Sequence, residues 1–135
     1  MRRLSIFKRK LTQTFQTNRI PSYYLTGQQC FSVFHARLRN YCSNLNSDLF
    51  NNHLIPSPIC DCKKEIENAE HYLFKCTRYN TQRRQMFLNT RQFHPLSVQK
   101  LLFGNENISD LENETLFSEV QRFIKNSKRF EQPNQ

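Results

Sequence analysis

The sequence predicts a mostly α-helical protein with one short β-turn or hairpin, and three observations support this prediction. Apolar residues recur at intervals of three and four along several segments, which is the period of an amphipathic helix. Val and Ile together number ten against 26 Phe and Leu, so the β-branched residues that favour strands are scarce. A length of 135 residues and a hydrophobic fraction of 37% fit one small helical module with a modest core.

Two amphipathic helices and one shorter helix are predicted in the N-terminal part of the chain. The first covers residues 4–15, with one apolar stripe formed by Leu4, Phe7, Leu11 and Phe15. Residues 21–27 begin with a proline and are predicted to form a connecting loop. The second helix covers residues 28–41, with a stripe formed by Phe31, Phe34, Leu38 and Tyr41. Ser43 or Asn44 is expected to cap the short helix, which carries Leu45, Leu49 and Phe50.

The middle of the chain is predicted to contain a turn followed by two helical stretches. Two prolines exclude a helix over residues 55–59, because each lacks an N–H and restricts the residue before it. Residues 60–67 then form a short turn or hairpin. Asn68 opens a helical stretch that runs through Cys76, and Thr77 starts the next one.

The C-terminal part is predicted to contain one capped turn and a long final helix. Ser97 caps the turn, which ends at Gly104 because glycine is the usual C-terminal stop. The final helix begins at Asp110 and carries one apolar face formed by Leu116, Phe117, Val120, Phe123 and Ile124. Its acidic residues precede its basic ones, which is the order that the helix dipole favours.

Positive charge is concentrated at the N-terminal end. The formal net charge is +9, and residues 1–47 hold eight basic residues and no acidic one. We therefore divide the chain into a basic amphipathic helix with linker (1–27), a helical domain (28–130) and a frayed tail (131–135). A one-sided basic segment attracts polyanions, of which nucleic acid is the commonest. The alternatives are a solvated basic helix without a partner, or an acidic patch elsewhere in a longer parent protein.

The composition argues against several classes of function. The only glycines are Gly27 and Gly104, so the glycine-rich loops that cradle phosphates are absent. The three aspartates stand isolated, and no cluster of carboxylates is present to hold Mg²⁺ for catalysis. We therefore expect a protein that is not an enzyme and has no small-molecule substrate. No apolar run approaches the roughly 20 residues that cross a bilayer, and no secretory signal is evident. The expected location is intracellular, nuclear or cytoplasmic.

One cluster of cysteines and histidine has the composition of a metal site. Five cysteines are an odd number for a disulfide framework, and the sequence places Cys60, Cys62, His71 and Cys76 within a short stretch. Three thiolates and one imidazole are a common tetrahedral ligand set for zinc, and four protein ligands leave no open position for catalysis. The spacing predicts one structural Zn²⁺ in a CCHC knuckle over residues 58–79. The alternative is a set of unlinked, small buried residues.

The other cysteines, histidines and tyrosines carry weaker signals. Cys30 lies beside an apolar stripe and is expected to be packed, whereas Cys42 lies in a polar turn. The lone histidines are expected to be surface or hydrogen-bonded residues rather than ligands (His35, His53 and His94). The loop pair Tyr23 and Tyr24 is a weak candidate for stacking on bases, since aromatic residues are more often part of the core.

The knuckle resembles a segment of a known family. The chain reads Ser-Pro-Ile-Cys-Asp-Cys at 57–62 and Glu-Asn-Ala-Glu-His-Tyr-Leu-Phe-Lys-Cys-Thr-Arg-Tyr at 67–79. This pattern is similar to the segment after the reverse transcriptase domain in polyproteins of non-LTR (LINE-type) retrotransposons. The similarity extends to Arg-Leu-Arg at 37–39, to Leu-Leu-Phe-Gly at 101–104 and to the Lys-Arg-Phe that ends at 130, and it covers roughly residues 20–130.

The resemblance implies a function and a parent protein. It implies that the chain corresponds to the C-terminal tail of an RNA-directed DNA polymerase, without the Tyr-x-Asp-Asp motif of the polymerase itself. In that family the tail is taken to help hold template RNA or target DNA during target-primed reverse transcription. The expected partners are RNA or single-stranded DNA, and the candidate contacts are Arg37, Arg39, Arg78, Arg83 and Arg84. The alternative is a non-catalytic interaction module that docks on the parent polyprotein or another protein.

One departure from the family pattern concerns the backbone. The glycine that the family has after the second cysteine is Lys63 in this chain. A lysine there is expected to adopt a positive φ, a strain that glycine avoids. The second departure, Thr77 in place of a proline, has no comparable consequence.

Overall fold

The computed structural model describes residues 20–131, and this part of the chain is mostly helical. Its α-helices are α1 (Gln29–Arg39), α2 (Asn46–Asn51), α3 (Asn80–Asn89), α4 (Val98–Phe103) and α5 (Asp110–Ser127). Short 3₁₀ turns occur at Ser22–Leu25, Thr77–Tyr79 and Arg91–Phe93, and one π-helical turn occurs at His71–Lys75. No strand occurs between residues 20 and 131, and the only β pairing there is an antiparallel bridge between Ile59 and Ile66. The mostly α prediction is confirmed.

The predicted helix over residues 4–15 lies outside the described residues, as does nearly all of the predicted tail. None of the helices within residues 20–131 is both long enough and apolar enough to cross a bilayer.

Helix α5 forms the centre of the described fold. The Ser109 hydroxyl accepts a hydrogen bond from the Glu112 backbone N–H, and the Glu112 carboxylate accepts one from the Ser109 N–H. This capping box satisfies two backbone donors at the helix start. The predicted apolar face is buried, at no more than 2% exposure for each of Leu116, Phe117, Val120, Phe123 and Ile124. Helices α1, α3 and α4 pack against α5, which orders the core around one long element.

Capping residues were predicted for both α2 and α4, and only the one for α4 acts as a cap. Ser97 caps α4 by accepting from the Lys100 N–H at 3.1 Å, and α4 ends before Gly104 at φ +89, as predicted. Helix α2 begins later than predicted, at Asn46. Ser43 does not cap it, because the Ser43 hydroxyl donates to the Asp48 carboxylate at 2.7 Å. Ser43 therefore binds a side chain in the first turn of α2 instead of capping the N–H groups at its start.

Two tyrosines of the predicted linker at 21–27 pack against the core. Tyr23 is only 8% exposed, and its ring meets Phe117 edge-on at 5.1 Å between centroids. Tyr24 stacks on the same Phe117 ring at 5.8 Å. A Cβ at Gly104 would lie 2.5 Å from the Tyr23 ring, so only glycine allows this approach. The tyrosine pair is consequently a packing element, and the idea that it stacks on bases is wrong.

Helix α1 carries two buried polar side chains. His35 is fully buried, and its Nε2–H donates to the Leu101 carbonyl oxygen at 2.7 Å. Burial lowers the pKa of His35 to about 3, so the ring is neutral. Cys30, on the same helix, is exposed rather than packed, so that prediction was wrong.

Arg39, the other buried polar residue of α1, is 5% exposed and donates from Nε to the Leu102 carbonyl oxygen. Its guanidinium lies 4.1 Å from the centre of the Tyr24 ring, a cation–π contact. Burial lowers the pKa of Arg39 to about 10. A buried guanidinium that packs on the core is not available to phosphates, so Arg39 leaves the set of nucleic-acid contacts.

Candidate metal centre

A tight turn holds the first two cysteines. The Cys60 N–H donates to the Glu65 carbonyl at 2.8 Å, and the Lys63 N–H donates to the Cys60 carbonyl at 2.8 Å. Lys63 has φ +69, so the positive φ expected at the position of the family glycine is present. The turn therefore keeps its shape with a lysine in the left-handed region, at the cost of some backbone strain.

A π-helical turn holds the other two residues of the cluster. The Asn68 side chain accepts from the His71 N–H at 2.9 Å, and the Cys76 N–H closes the turn on the His71 carbonyl at 2.7 Å. In an α-helix, five residues overshoot one full turn by about 140°, which would point the two side chains apart. The i→i+5 bond instead closes one turn over this interval, so His71 and Cys76 can face the same point. The sequence analysis did not predict this π turn.

The four side chains converge. One ligand atom from each of Cys60, Cys62, His71 and Cys76 lies within 4.8 Å of all the others. The Cys60 and Cys76 sulfurs are 3.7 Å apart, and the Cys62 sulfur is 3.4 Å from His71 Nε2. Zn–S bonds of about 2.3 Å in a tetrahedron place two sulfurs about 3.8 Å apart. The donor set and its spacing therefore match a metal-binding group of three cysteines and one histidine.

The second ring nitrogen of His71 also fits metal ligation. His71 Nδ1 is buried and has no hydrogen-bond partner, while a Glu65 carboxylate oxygen lies 3.5 Å away. A histidine that binds a metal through Nε2 usually donates its Nδ1–H to a carboxylate, which fixes the ring. Glu65 stands where such an acceptor is needed. This arrangement leaves Nε2 facing the three sulfurs.

The cysteines have different electrostatic surroundings. Burial raises the pKa of the Cys60 thiol to about 11, which favours its neutral form in the absence of a metal. The Lys64 backbone N–H lowers the pKa of the Cys62 thiol. A metal deprotonates the thiols that bind it, so metal binding at this cluster would release protons.

Arg78 brings a positive charge directly to the sulfurs. Its Nη2 lies 3.1 Å from the Cys60 sulfur, and its Nε lies 3.4 Å from the Cys76 sulfur. The same Nη2 donates to the Glu67 carboxylate at 3.0 Å. About a third of the Arg78 side chain is exposed (31%). Arg78 therefore belongs to the cluster, and its donors are largely engaged there.

Glu67 is the functional residue that the sequence analysis missed. It is 1% exposed and accepts from Arg129 at 2.7 and 2.8 Å and from the Asn46 N–H at 2.8 Å. Burial alone would raise the pKa of Glu67, but the hydrogen bonds from Arg129 and Asn46 lower it. Glu67 and Arg129 both lie in family-like segments, which was the available signal, but nothing in the sequence indicates that they pair across 62 residues.

The five candidate arginines have different surroundings. Arg83 is 5% exposed and donates to the carbonyls of Tyr72, Leu73 and Cys76 at 2.9 to 3.0 Å. Arg83 therefore connects the π turn to α3. Like Arg39, it is buried and is not available to contact phosphates. Arg37 on α1 and Arg84 on α3 are exposed, and Arg78 lies at the cysteine cluster. The structure therefore does not join the five into one surface.

Comparison with known proteins identifies no relatives. No protein-family model, no curated protein and no solved structure matches the chain.

Proposed function

We propose that this chain is a zinc-stabilised, nucleic-acid-binding module without a catalytic site of its own. The observation that carries the proposal is the convergence of Cys60, Cys62, His71 and Cys76 within 4.8 Å. Those residues also carry the resemblance to the tail of non-LTR retrotransposon reverse transcriptases. We propose accordingly that the chain serves such a polymerase by holding RNA or single-stranded DNA.

A structural role for the zinc follows from the ligand count. Four protein ligands complete the tetrahedron, whereas catalytic zinc sites keep one position open for water or substrate. The bound Zn²⁺ would supply cross-linking of the turn and the π helix. Three thiolates around one Zn²⁺ leave one negative charge, and Arg78 is placed to offset it.

The nucleic-acid part of the proposal rests on charge. All eleven acidic residues lie between residues 48 and 131, and six of the 20 basic residues lie before residue 20. Residues 20–131 therefore carry a net charge of +3, so two thirds of the excess positive charge precedes them. Exposed basic side chains in the described part include Arg37, Arg84, Arg91 and Lys128. Such side chains bind phosphates with little sequence preference and release counterions.

The test combines metal analysis with a salt titration of the full chain. Elemental analysis should find one zinc per chain after dialysis. Affinity for a single-stranded RNA should fall roughly a hundredfold or more between low and physiological salt if four to six basic side chains engage phosphates. Absence of zinc would remove the structural part of the proposal. Absence of binding at low salt, or binding that ignores salt, would favour the protein-docking alternative instead.

A further inference from the structure

A basic groove with an apolar floor lies on α3 and the turn that follows it. Its volume is about 450 Å³, and it is lined by Asn80, Arg83, Arg84, Phe87, Leu88, Arg91 and His94. Arg84, Phe87 and Leu88 follow the helical spacing along one face of α3, and Arg91 lines the same groove from the 3₁₀ turn that follows the helix. Leu88 is 52% exposed, so this face has no cover within the described part of the chain.

Two neighbouring rings hold the Phe87 ring of the groove in place. The Phe87 ring meets His94 edge-on at 5.7 Å and packs on Phe74 at 5.8 Å between centroids. Phe87 is only half-buried, so part of its ring remains open to the groove. An aromatic ring fixed in this way loses little freedom when a second flat ring stacks on it.

The charge of the groove has one sign. Arg84 and Arg91 are exposed residues of its lining, and the buried Arg83 guanidinium adds a third positive charge to its wall. None of the described residues that line it is acidic. Arg84 lies on α3, whereas Arg91 lies beyond its end, in the 3₁₀ turn Arg91–Phe93. Anionic groups are therefore favoured beside each arginine, and an apolar flat group is favoured against the Phe87 ring.

We propose that this groove binds one nucleotide of a single strand, with its base against Phe87 and its neighbouring phosphates on Arg84 and Arg91. The inference rests on the proposed nucleic-acid function and names its contact site. Stacking on an aromatic ring between basic side chains is how proteins hold single strands without reading their sequence. An acidic peptide has the same charge, but Asp and Glu side chains supply no flat ring to stack on Phe87 between the basic side chains, as a base does.

The first experiment measures base stacking directly. The probe is an oligo(dT) of about 12 nucleotides with a central 2-aminopurine, and a matched strand carries abasic sites throughout. The wild-type chain should quench the 2-aminopurine fluorescence and bind the abasic strand about 5- to 100-fold more weakly. Phe87→Leu keeps an apolar side chain but removes the ring. It should abolish the quenching and bind both strands alike.

The second experiment uses exposed positions that leave the core untouched. Leu88→Glu places an acid in the groove and should weaken binding of the base-containing strand at least several-fold. Leu111→Glu is the matched control, because Leu111 is 73% exposed on α5 and the change in charge is the same. Arg91→Gln should weaken binding and reduce its salt dependence, whereas Lys125→Gln, also exposed on α5, should have a smaller effect.

Three outcomes would overturn the groove assignment or its basis. If the wild-type chain binds no strand at low salt, the proposed function itself fails. If it binds with normal salt dependence but Phe87→Leu and the abasic strand change nothing, only the groove assignment fails. If a Glu- and Leu-rich peptide binds more tightly than the oligonucleotide and loses binding in Leu88→Glu, the groove belongs to a protein partner.

Discussion

Arg129, just after α5, donates two hydrogen bonds to the buried carboxylate of Glu67, at the end of the turn over residues 60–67. Its Nη2 lies 2.7 Å from Oε1 and its Nε lies 2.8 Å from Oε2. Arg78 approaches the same carboxylate at 3.0 Å from the side of the cysteine sulfurs. Glu67 therefore joins the last helix, the turn and the metal-ligand cluster at a single point.

Removing the negative charge of Glu67 should destabilise the protein. Glu67→Gln leaves two guanidinium groups without their carboxylate, and we expect a loss of about 2–4 kcal/mol, since breaking a buried ion pair costs more than breaking an exposed one. Urea unfolding of the wild-type and Glu67→Gln chains measures this loss in the free energy of unfolding. Glu70→Gln is the control, because the Glu70–Lys75 pair is about half exposed and should contribute much less than the buried Glu67. Equal effects of the two changes would contradict the structural role of Glu67.

Removing one cluster cysteine should release the zinc. Structural zinc contributes about 10–16 kcal/mol of apparent binding free energy in zinc-finger peptides, and this energy is coupled to folding. Cys76→Ser should therefore lose zinc and unfold the knuckle turn, as should treatment with a chelator. Cys30→Ser and Cys42→Ser are matched controls, because both cysteines are exposed and neither belongs to the cluster. Unchanged zinc content in Cys76→Ser would contradict the assignment of Cys76 as a zinc ligand.

Replacing Lys63 by glycine should stabilise the turn over residues 60–67. Lys63 has φ +69, a conformation that costs a residue with a Cβ about 1–2 kcal/mol. Glycine avoids that cost but loses more chain entropy, so Lys63→Gly should gain about 0.5–1 kcal/mol. Thermal unfolding of the zinc-loaded chain is the measurement. Lys64→Gly should destabilise, because Lys64 is not among the positive-φ residues. A loss of stability in Lys63→Gly would show that the lysine side chain has a role of its own.

Protonation of His35 should destabilise the fold in acid. Its folded pKa of about 3 lies below the usual 6.5, so the unfolded chain takes up the proton first. The stability that neutral His35 contributes is complete above pH 6.5 and is lost as pH falls toward 3, by about 1.4 kcal/mol per unit. His35→Gln keeps a donor for the Leu101 carbonyl and removes the titration. The difference in stability between the two chains should therefore change between pH 7 and 5, and a constant difference would count against a neutral buried ring.

Two neighbouring arginines of α3 should have different roles. We expect Arg83 to stabilise the fold and Arg84 to bind phosphates. Arg83→Gln removes hydrogen bonds to buried carbonyls and should cost about 2–3 kcal/mol of stability. Arg84→Gln should change stability by less than about 0.5 kcal/mol. It should instead reduce the log–log salt slope of strand binding by about 0.7–0.9. If Arg83→Gln instead reduced the salt slope and Arg84→Gln reduced the stability, Arg83 would again be a candidate phosphate contact.

Much of the helical framework could be predicted because its signals are local. The period of α5, its start near Ser109 and the stop at Gly104 depend on residues within a few positions of one another. The positive φ at Lys63 was expected from the resemblance, because Lys63 stands where the family pattern has a glycine. The four cluster residues were recognisable because thiols and imidazole at that spacing have few other uses.

The helical periods, the Ser97 cap and the four residues of the Cys/His cluster could be read from the sequence, because each depends on residues close together in the chain. The arginines that remain at the surface could not, because burial depends on neighbours that are distant in the chain. Arg39 meets Leu102 and Arg129 meets Glu67 across more than 60 residues, and although all four lie in family-like segments, no local period or spacing specifies that they pair. The π turn was not predicted either, and in the structure it lets residues 71 and 76 contribute to one cluster, which a regular α-helix would not allow.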